Sequence, residues 1–212
     1  LEGQSFPYLC SGEGSDFGDA PDSPYPTLLV NDGARHVILP GYHLGNSVDS
    51  DPDGQSDPNA LGDDNDGNND DDGVVLNGFL FPCAQVSITI IASASGYIDA
   101  WIDFNGDGVW DDSIVSDERI FGTYAVSAGV NNLEFAVPCD AVLGQTFARF
   151  RFSSTGGLSY TGLADDGEVE DYAVQVFSGP AGHALDFGGS TEYVQMNDFN
   201  LGTSDFTVEF WM

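Results

Sequence analysis

Alternation of apolar and polar residues is the main pattern along this chain, and it predicts β-strands rather than helices. In residues 97–104, Ile98, Ala100, Ile102 and Phe104 share one face of a strand. Tyr97, Asp99, Trp101 and Asp103 occupy the opposite face, as expected for a half-buried strand. Similar segments, bounded by Gly, Asn, Asp or Pro, lie at residues 34–39, 74–80, 85–93, 119–126, 131–137, 146–153 and 169–177.

The spacing of these segments predicts an all-β fold, namely an antiparallel β-sandwich of jelly-roll or immunoglobulin-like type with long acidic loops. We expect residues 1–16 to form an N-terminal segment and residues 17–178 to form the sandwich. A Gly- and Pro-containing break follows, so residues 179–212 are expected to hold a linker and a partial second β unit.

The partial second unit has an apolar face that needs covering. Within residues 183–212, Phe206, Val208 and Phe210 alternate with polar residues, yet too few strand-like segments are present to bury them. Two explanations stay open. The segment is the start of a domain whose remainder lies elsewhere, or it completes a sheet with a neighbouring copy of the chain.

The charge of the chain excludes several partners. Thirty-five acidic residues face four arginines and no lysine, giving a net charge of −31. This charge argues against binding to nucleic acid or to an anionic bilayer, and no run of 18 apolar residues predicts membrane insertion. A cationic partner is expected, and metal ions are the obvious candidates.

The sharpest candidate for metal binding is the sequence DFNGDGVWDD at residues 103–112. Its alternating oxygen-bearing residues and its glycines follow the first half of a calcium loop, although Ile114 replaces the final bidentate Glu of an EF-hand. The alternative is a plain Asn/Gly turn. The predicted calcium ligands are Asp103, Asn105, Asp107, the Val109 carbonyl, Asp111 and Asp112, with Asp117 or Glu118 as further oxygen donors.

The same spacing recurs in residues 49–73, where ten Asp occur in 25 residues. Carboxylates this dense cannot all stay ionised in a fixed structure without a counter-ion, so we expect folding of the loop to be coupled to calcium binding. A flexible, solvated loop is the alternative. The candidate ligands are Asp49, Asp51, Asp53, Asp63, Asp64, Asp66, Asp70, Asp71 and Asp72.

A third acidic cluster, ADDGEVEDY, enters the last strand of the sandwich. Glu168 and Glu170 share the parity of the apolar Val174 and Val176, so these carboxylates are expected to point inward and to need a partner. Calcium and the arginines at 149 and 151 are equally good partners at this stage. The candidate calcium ligands here are Asp165, Asp166, Glu168 and Glu170.

The cysteines are expected to include one disulfide. Cys83 and Cys139 each follow a proline, in FPC and VPC, and a bridge between them would contribute roughly 4 kcal/mol in the chain-entropy model. Cys10 would then be free or paired with another chain. The alternative is that all three cysteines are buried as small apolar residues.

Several of these motifs together are similar to a known family. GEVEDY resembles the signature of GEVED domains, and DFGDAPDSPYPTLL, NDGARHVI, DSDPDG, GDDNDGNNDDDGV and WIDFNGDGVWDD resemble its other motifs over residues 16–177. The resemblance implies a secreted or cell-surface module of a large bacterial protein, bound to calcium, with more than one ion expected. The sequence of residues 183–212 resembles the first strands of a laminin-G or concanavalin A-like domain.

We expect no enzymatic activity, because the histidines at 36, 43 and 183 stand in no Ser/His or Cys/His motif and Glu209 is isolated. The favoured interpretation is a calcium-stabilised structural or adhesive module that binds copies of itself, surface glycans or proteins. The alternative is a calcium-dependent carbohydrate-binding module with Trp101, Trp110 and Tyr160 exposed beside calcium, although Trp101 and Trp110 could equally cover the sandwich.

Overall fold

Ten β-strands and one short 3-10 helix form the part of the protein described by the computed structural model, which covers residues 14–62, 70–111 and 118–179. The helix spans Leu29–Asn31. The strands are β1 Ser15–Phe17, β2 Arg35–Val37, β3 Val74–Leu76, β4 Gln85–Ala92, β5 Gly96–Ile102, β6 Arg119–Val126, β7 Gly129–Ala136, β8 Gly144–Ser153, β9 Leu163–Ala164 and β10 Glu168–Val176. Within these residues no helix is long and apolar enough to span a membrane.

Two antiparallel sheets form a β-sandwich around one apolar core. One sheet has the strand order β10-β8-β5-β6 and the other has the order β3-β4-β7. Their facing side chains include the fully buried Ile88, Ile90, Ile98, Ile102, Phe150 and Phe152, and the loop residue Leu44 packs in the same core. The predicted all-β, antiparallel architecture is therefore confirmed.

The alternation pattern located most of the strands of the sandwich. The segment predicted at residues 119–126 coincides with β6, and β4, β5, β7, β8 and β10 lie within a few residues of their predicted bounds. The segments predicted at 34–39 and 74–80 form shorter strands, since Pro40 and the Asn77-Gly78 pair interrupt the extended backbone. The short strands β1 and β9 were not predicted.

A third sheet covers the outer face of the four-stranded sheet. It has the order β1-β2-β9, with β1 and β2 antiparallel and β2 and β9 parallel. Beneath this sheet and its loops, Asp99, Trp101, Arg149 and Arg151 are almost completely inaccessible to solvent. The prediction that β5 is half-buried is therefore wrong, because both of its faces are covered.

The predicted disulfide between Cys83 and Cys139 is present and joins residues 56 positions apart. Cys83 precedes β4 and Cys139 follows β7, which are antiparallel neighbours in the three-stranded sheet. Cys10 and the predicted second β unit at 180–212 lie outside the described residues.

Candidate metal centre

Asp103 organises the loop that follows β5. Its side chain is fully buried, and its Oδ1 accepts a hydrogen bond from the Gly106 N–H at 2.6 Å. Its Oδ2 accepts hydrogen bonds from the Gly108 N–H at 2.9 Å and the Tyr25 hydroxyl at 2.6 Å. Gly106 and Gly108 have φ angles of 70° and 84°, which favour glycine. The DFNGDG sequence therefore folds its backbone around a buried carboxylate.

Glu118 closes the same loop from the opposite side. It is fully buried, and its two carboxylate oxygens accept hydrogen bonds from the backbone N–H groups of Asn105, at 3.4 Å, and Asp111, at 2.9 Å. Burial, with additional repulsion from the charges of Asp103 and Asp107, raises the pKa of Glu118 to about 7. Three carboxylates thus act on one another across the loop, and a cation between them would remove this repulsion.

The remaining predicted ligands of this loop are held by local contacts. Asp107 Oδ1 accepts a hydrogen bond from the Val109 N–H at 2.9 Å, and its Oδ2 accepts one from the Asn105 amide at 3.1 Å. Asp112 and Asp117 lie outside the described residues. Among the described residues, no three acidic, His or Cys side chains are already gathered into a metal-binding group. The donor set consists of oxygens, the ligand type that calcium prefers.

The other two predicted acidic clusters meet in a second group. Burial raises the pKa of Asp51 to about 6, and the nearby charges of Asp49 and Asp70 add to this effect. Burial also raises the pKa of Glu168 well above its usual range, with contributions from Glu170, Asp16 and Asp70. Carboxylates from four segments of the chain therefore share one region rather than forming separate sites.

Glu168 and Glu170 accept hydrogen bonds from the backbone of the loops that precede β3. Glu168 accepts one from the Leu44 N–H, and Glu170 Oε1 accepts one from the Gly73 N–H at 2.8 Å. Glu170 Oε2 accepts one from the Tyr172 hydroxyl at 2.9 Å. Burial raises the pKa of Glu170 to about 8. These two residues point inward, as their parity predicted.

Arg149 pairs with a different residue of this strand. Its guanidinium forms a salt bridge with Asp171, and both side chains are fully buried. Arg151 donates hydrogen bonds to the backbone carbonyls of Ser159, Thr161, Gly162 and Arg35 and to the imidazole of His36. The two arginines therefore attach the third sheet and residues 159–162 to the outer face of β8.

The other predicted acidic ligands have varied surroundings. Asp53 accepts hydrogen bonds from the N–H groups of Leu29 and Gly54, at 2.7 and 2.8 Å, and Asp166 accepts one from the Ser154 N–H at 2.8 Å. Asp72 accepts one from the Asn46 N–H at 2.8 Å, Asp71 is half-buried and Asp165 is exposed. Asp63, Asp64 and Asp66 lie outside the described residues.

Two buried acids were missed by the sequence analysis. Asp16 accepts a hydrogen bond from the Val169 N–H at 2.6 Å, and Asp19 accepts one from the Gly62 N–H at 2.6 Å. Both stand in the DFGDAPD stretch, where three Asp occur in seven residues. Its acids are as dense as those of residues 49–73 and 103–112, so acid density was an available signal.

The tryptophans proposed as an exposed binding platform are inside the protein. Trp101 and Trp110 are fully buried and pack with Tyr25 beneath the third sheet. The Trp110 indole donates a hydrogen bond to the Phe147 carbonyl at 3.0 Å, and the Arg149 guanidinium lies 4.5 Å from its ring centre. Of the two alternatives for these residues, exposure beside calcium is wrong, and their burial agrees with the alternative that they cover the sandwich.

Residues 97–175 match the family model of the GEVED domain. This range runs from β5 to β10 and includes the loop at 103–111, Glu118 and the motif at 167–172. No curated protein and no solved structure matches the chain. The resemblance predicted over residues 16–177 is thus confirmed for its second half, and the resemblance of residues 183–212 to a laminin-G domain stays a prediction.

The residues of the GEVED signature each have a structural role. Gly167 has a φ of 93°, and a Cβ there would collide with the Phe152 carbonyl. Val169 pairs its N–H with Asp16, and Asp171 pairs with Arg149. Alternate residues of the signature therefore attach β10 to the loops before β3 on one side and to the third sheet on the other.

Proposed function

We propose that this protein is a calcium-stabilised structural or adhesive module of a large bacterial surface protein or extracellular filament. The observation that carries the proposal is the burial of Glu118 and Asp103 on opposite sides of the loop at 103–111. Burial and the charges of Asp103 and Asp107 raise the pKa of Glu118 to about 7, and a cation in the loop would offset this penalty.

Calcium fits the chemistry of this loop. Its donors are carboxylate, amide and carbonyl oxygens, which suit a hard and flexible cation. Asp103, Asn105, Asp107, Asp111, Glu118 and the Val109 carbonyl would hold the ion. Its charge would neutralise the carboxylates and join the end of β5 to the start of β6, so the sandwich would become stiffer.

A second ion is proposed for the group formed by Asp49, Asp51, Asp70, Glu168 and Glu170. These residues come from the loops before β3 and from β10, and burial raises the pKa values of Asp51, Glu168 and Glu170. An ion there would fasten the loops to the last strand of the sandwich. The net charge of −31 gives the folded chain a general reason to bind cations.

The extracellular location and the lack of enzymatic activity are parts of the same proposal. The disulfide between Cys83 and Cys139 supports an oxidising compartment. The match of residues 97–175 to the GEVED domain supports a module within a larger surface protein. The proposed partners are neighbouring copies of the chain through residues 183–212, together with surface glycans or proteins.

Melting of the full chain in excess calcium and in excess chelator tests the proposal. Calcium at a hundredfold excess over its dissociation constant should contribute about 2.7 kcal/mol per site. Asp103→Asn should reduce the calcium-dependent shift, whereas the exposed Glu134→Gln should keep it. Identical melting temperatures of the wild type in calcium and in chelator would reject calcium stabilisation.

A further inference from the structure

Strand β7 forms a long and regular sheet edge. It pairs with β4 over eight consecutive residues without a register shift, and in the described part of the chain it has no second neighbour in the sheet. The opposite edge, β3, has three residues. An edge of eight residues offers a row of main-chain groups to an added strand.

The edges of the other sheet are less suited to accept a strand. The pairing of β6 with β5 is shifted near Asp99, and Thr123 in β6 has a φ of 52° while its N–H is donated to Asp99. At the β10 edge, Val176 bridges to Leu80, and the Phe177 N–H is donated to the Leu80 carbonyl at 2.8 Å. A bulge and a covering segment both prevent regular pairing.

The register shows which groups of β7 point outward. The Ile91 N–H donates a hydrogen bond to the Gly73 carbonyl, and the Ser87 carbonyl accepts one from the Asn77 N–H. The backbone N–H and C=O groups of the odd-numbered residues of β4 therefore point towards β3. The even-numbered residues of β4 therefore face β7, where they are paired with odd-numbered residues. The outward N–H and C=O groups of β7 belong to Val130, Asn132, Glu134 and Ala136.

The β6–β7 hairpin is also nearly uncharged in a very acidic chain. Glu134 is the single charged residue between Arg119 and Asp140. Two copies of this protein repel each other through their net charge of −31, and the low charge of this hairpin makes the repulsion weaker here. Edge strands are commonly protected by charged side chains or proline, and β7 has neither protection apart from Glu134.

A cavity lies between the ends of the two edge strands. It has a volume of about 290 Å³ and is lined by Arg119 and Ile120 of β6 and by Phe135, Ala136 and Pro138 at the end of β7. A strand added to β7 would run past this cavity. Ile120, Phe135 and Pro138 in its lining offer apolar contacts to a side chain projecting from such a strand.

We propose that β7 is the acceptor edge for a strand donated by a second copy of this chain, from within residues 183–212. The sequence around Phe206, Val208 and Phe210 alternates apolar and polar residues, so one side chain could fill the cavity while the backbone extends the β3-β4-β7 sheet. The choice of residues 183–212 as the donor rests on the proposed function, whereas β7 as the acceptor edge is a new assignment.

Sedimentation of the full chain in calcium, from 1 to 100 µM, tests the assignment. Asn132→Pro removes an outward N–H while leaving the β4–β7 ladder, so we expect association to weaken at least tenfold. Asn132→Ala is the matched control, because it removes the same contact with Thr89 but keeps the N–H, and it should associate like the wild type. If Asn132→Pro fails to fold, Ala136→Trp provides a second test. Its larger side chain would fill the cavity, so association should weaken.

The donor is tested separately with Phe210→Ser, which should weaken association at least tenfold, and with Thr207→Ser, which should not. A wild type that stays monomeric at every concentration overturns the proposal, and so does a folded Asn132→Pro that associates normally. Normal association of Phe210→Ser overturns the assignment of the donor. Calcium stabilisation is read from monomer melting, so its failure is distinguishable from loss of association.

Discussion

Arg149 and Asp171 form a two-point ion pair across the neighbouring strands β8 and β10. Arg149 Nε donates to Asp171 Oδ1 at 2.7 Å, and its Nη2 donates to Oδ2 at 2.6 Å. Asp171 Oδ2 also accepts the N–H groups of Asp19 and Ala20, at 3.0 and 2.9 Å. The pair therefore joins the four-stranded sheet to the segment that follows β1.

Removal of Asp171 should strongly destabilise the fold. In Asp171→Ala the buried guanidinium keeps its charge but loses its partner, so we expect a loss of about 3–5 kcal/mol in the free energy of unfolding. Urea denaturation measures this loss. Asp165→Ala, which changes an exposed acid three residues before β10, should change the same quantity by less than about 0.5 kcal/mol. Equal effects of the two substitutions would contradict the assigned role of the ion pair.

Glu118→Gln should have opposite effects with and without calcium. In chelator at pH 8 the wild-type carboxylate is buried and ionised, so its neutral replacement removes an unfavourable charge. Glutamine can accept only one of the two backbone hydrogen bonds, so the net stabilisation should be about 1 kcal/mol. In calcium the variant lacks a charged ligand and should bind the ion more weakly. Thermal melts and calcium titration calorimetry measure the two effects. Destabilisation in both conditions would show that Glu118 acts only through its hydrogen bonds.

Acid should destabilise the fold through His36. Its Nε2 accepts a hydrogen bond from Arg151 Nε at 3.0 Å and its Nδ1 lies 2.7 Å from the Asp166 carbonyl, so the buried ring is neutral with the proton on Nδ1. Burial and the Arg151 charge lower the pKa of His36 well below its usual range. Below about pH 6.5 the unfolded chain binds the extra proton, so stability falls with pH, by up to about 2 kcal/mol at pH 5.

His36→Gln provides the comparison for this effect. Glutamine can still accept a hydrogen bond from Arg151 but cannot be protonated, so the variant should lose less stability than the wild type between pH 7.5 and pH 5. His43→Gln, at a half-buried site, serves as the control and should follow the wild type. Urea denaturation at the two pH values gives the difference, and parallel losses in wild type and His36→Gln would exclude His36 as the cause.

Loss of the disulfide should lower the melting temperature. The bridge closes a loop of 56 residues, and its removal in Cys83→Ser/Cys139→Ser should cost about 2–4 kcal/mol. A reducing agent should reproduce the loss in the wild type and have no further effect on the double variant. If reduction lowers the stability of the double variant as well, Cys10 contributes to the effect.

The sequence was sufficient to predict the strands of the sandwich because their apolar alternation reflects one continuous core. It was insufficient for the outer face of the four-stranded sheet. There Asp99, Arg149 and Arg151 follow the alternation of solvent-exposed residues, yet they are buried. Asp99 accepts the Thr123 N–H of β6, Arg149 pairs with Asp171 of β10, and Arg151 donates to the Ser159 carbonyl. Polar residues indicate solvent exposure only where no other layer covers them.

The acidic motifs show a similar division. The carboxylates of the loop at 103–111 could be predicted because their spacing is local, within a few residues. The grouping of Asp51 and Asp70 with Glu168 and Asp16 depends on long-range contacts: Asp51 bridges to Ser15 of β1, and Asp16 of β1 accepts the Val169 N–H of β10. Spacing along the chain contains no information about such contacts. The acidic clusters at 49–73 and 165–170 were therefore expected to form separate sites, whereas the fold brings them together.

The disulfide also limits how far this protein can stretch under load. When the module is pulled from its two ends, the chain between Cys83 and Cys139 stays closed and cannot contribute to the extension. At about 3.4 Å per extended residue, the 56-residue separation withholds roughly 190 Å of contour length. Strands β4 to β7 would thus not contribute to the extension of the pulled chain. Reduction of the bridge would release this length, so the unfolded module could extend much further.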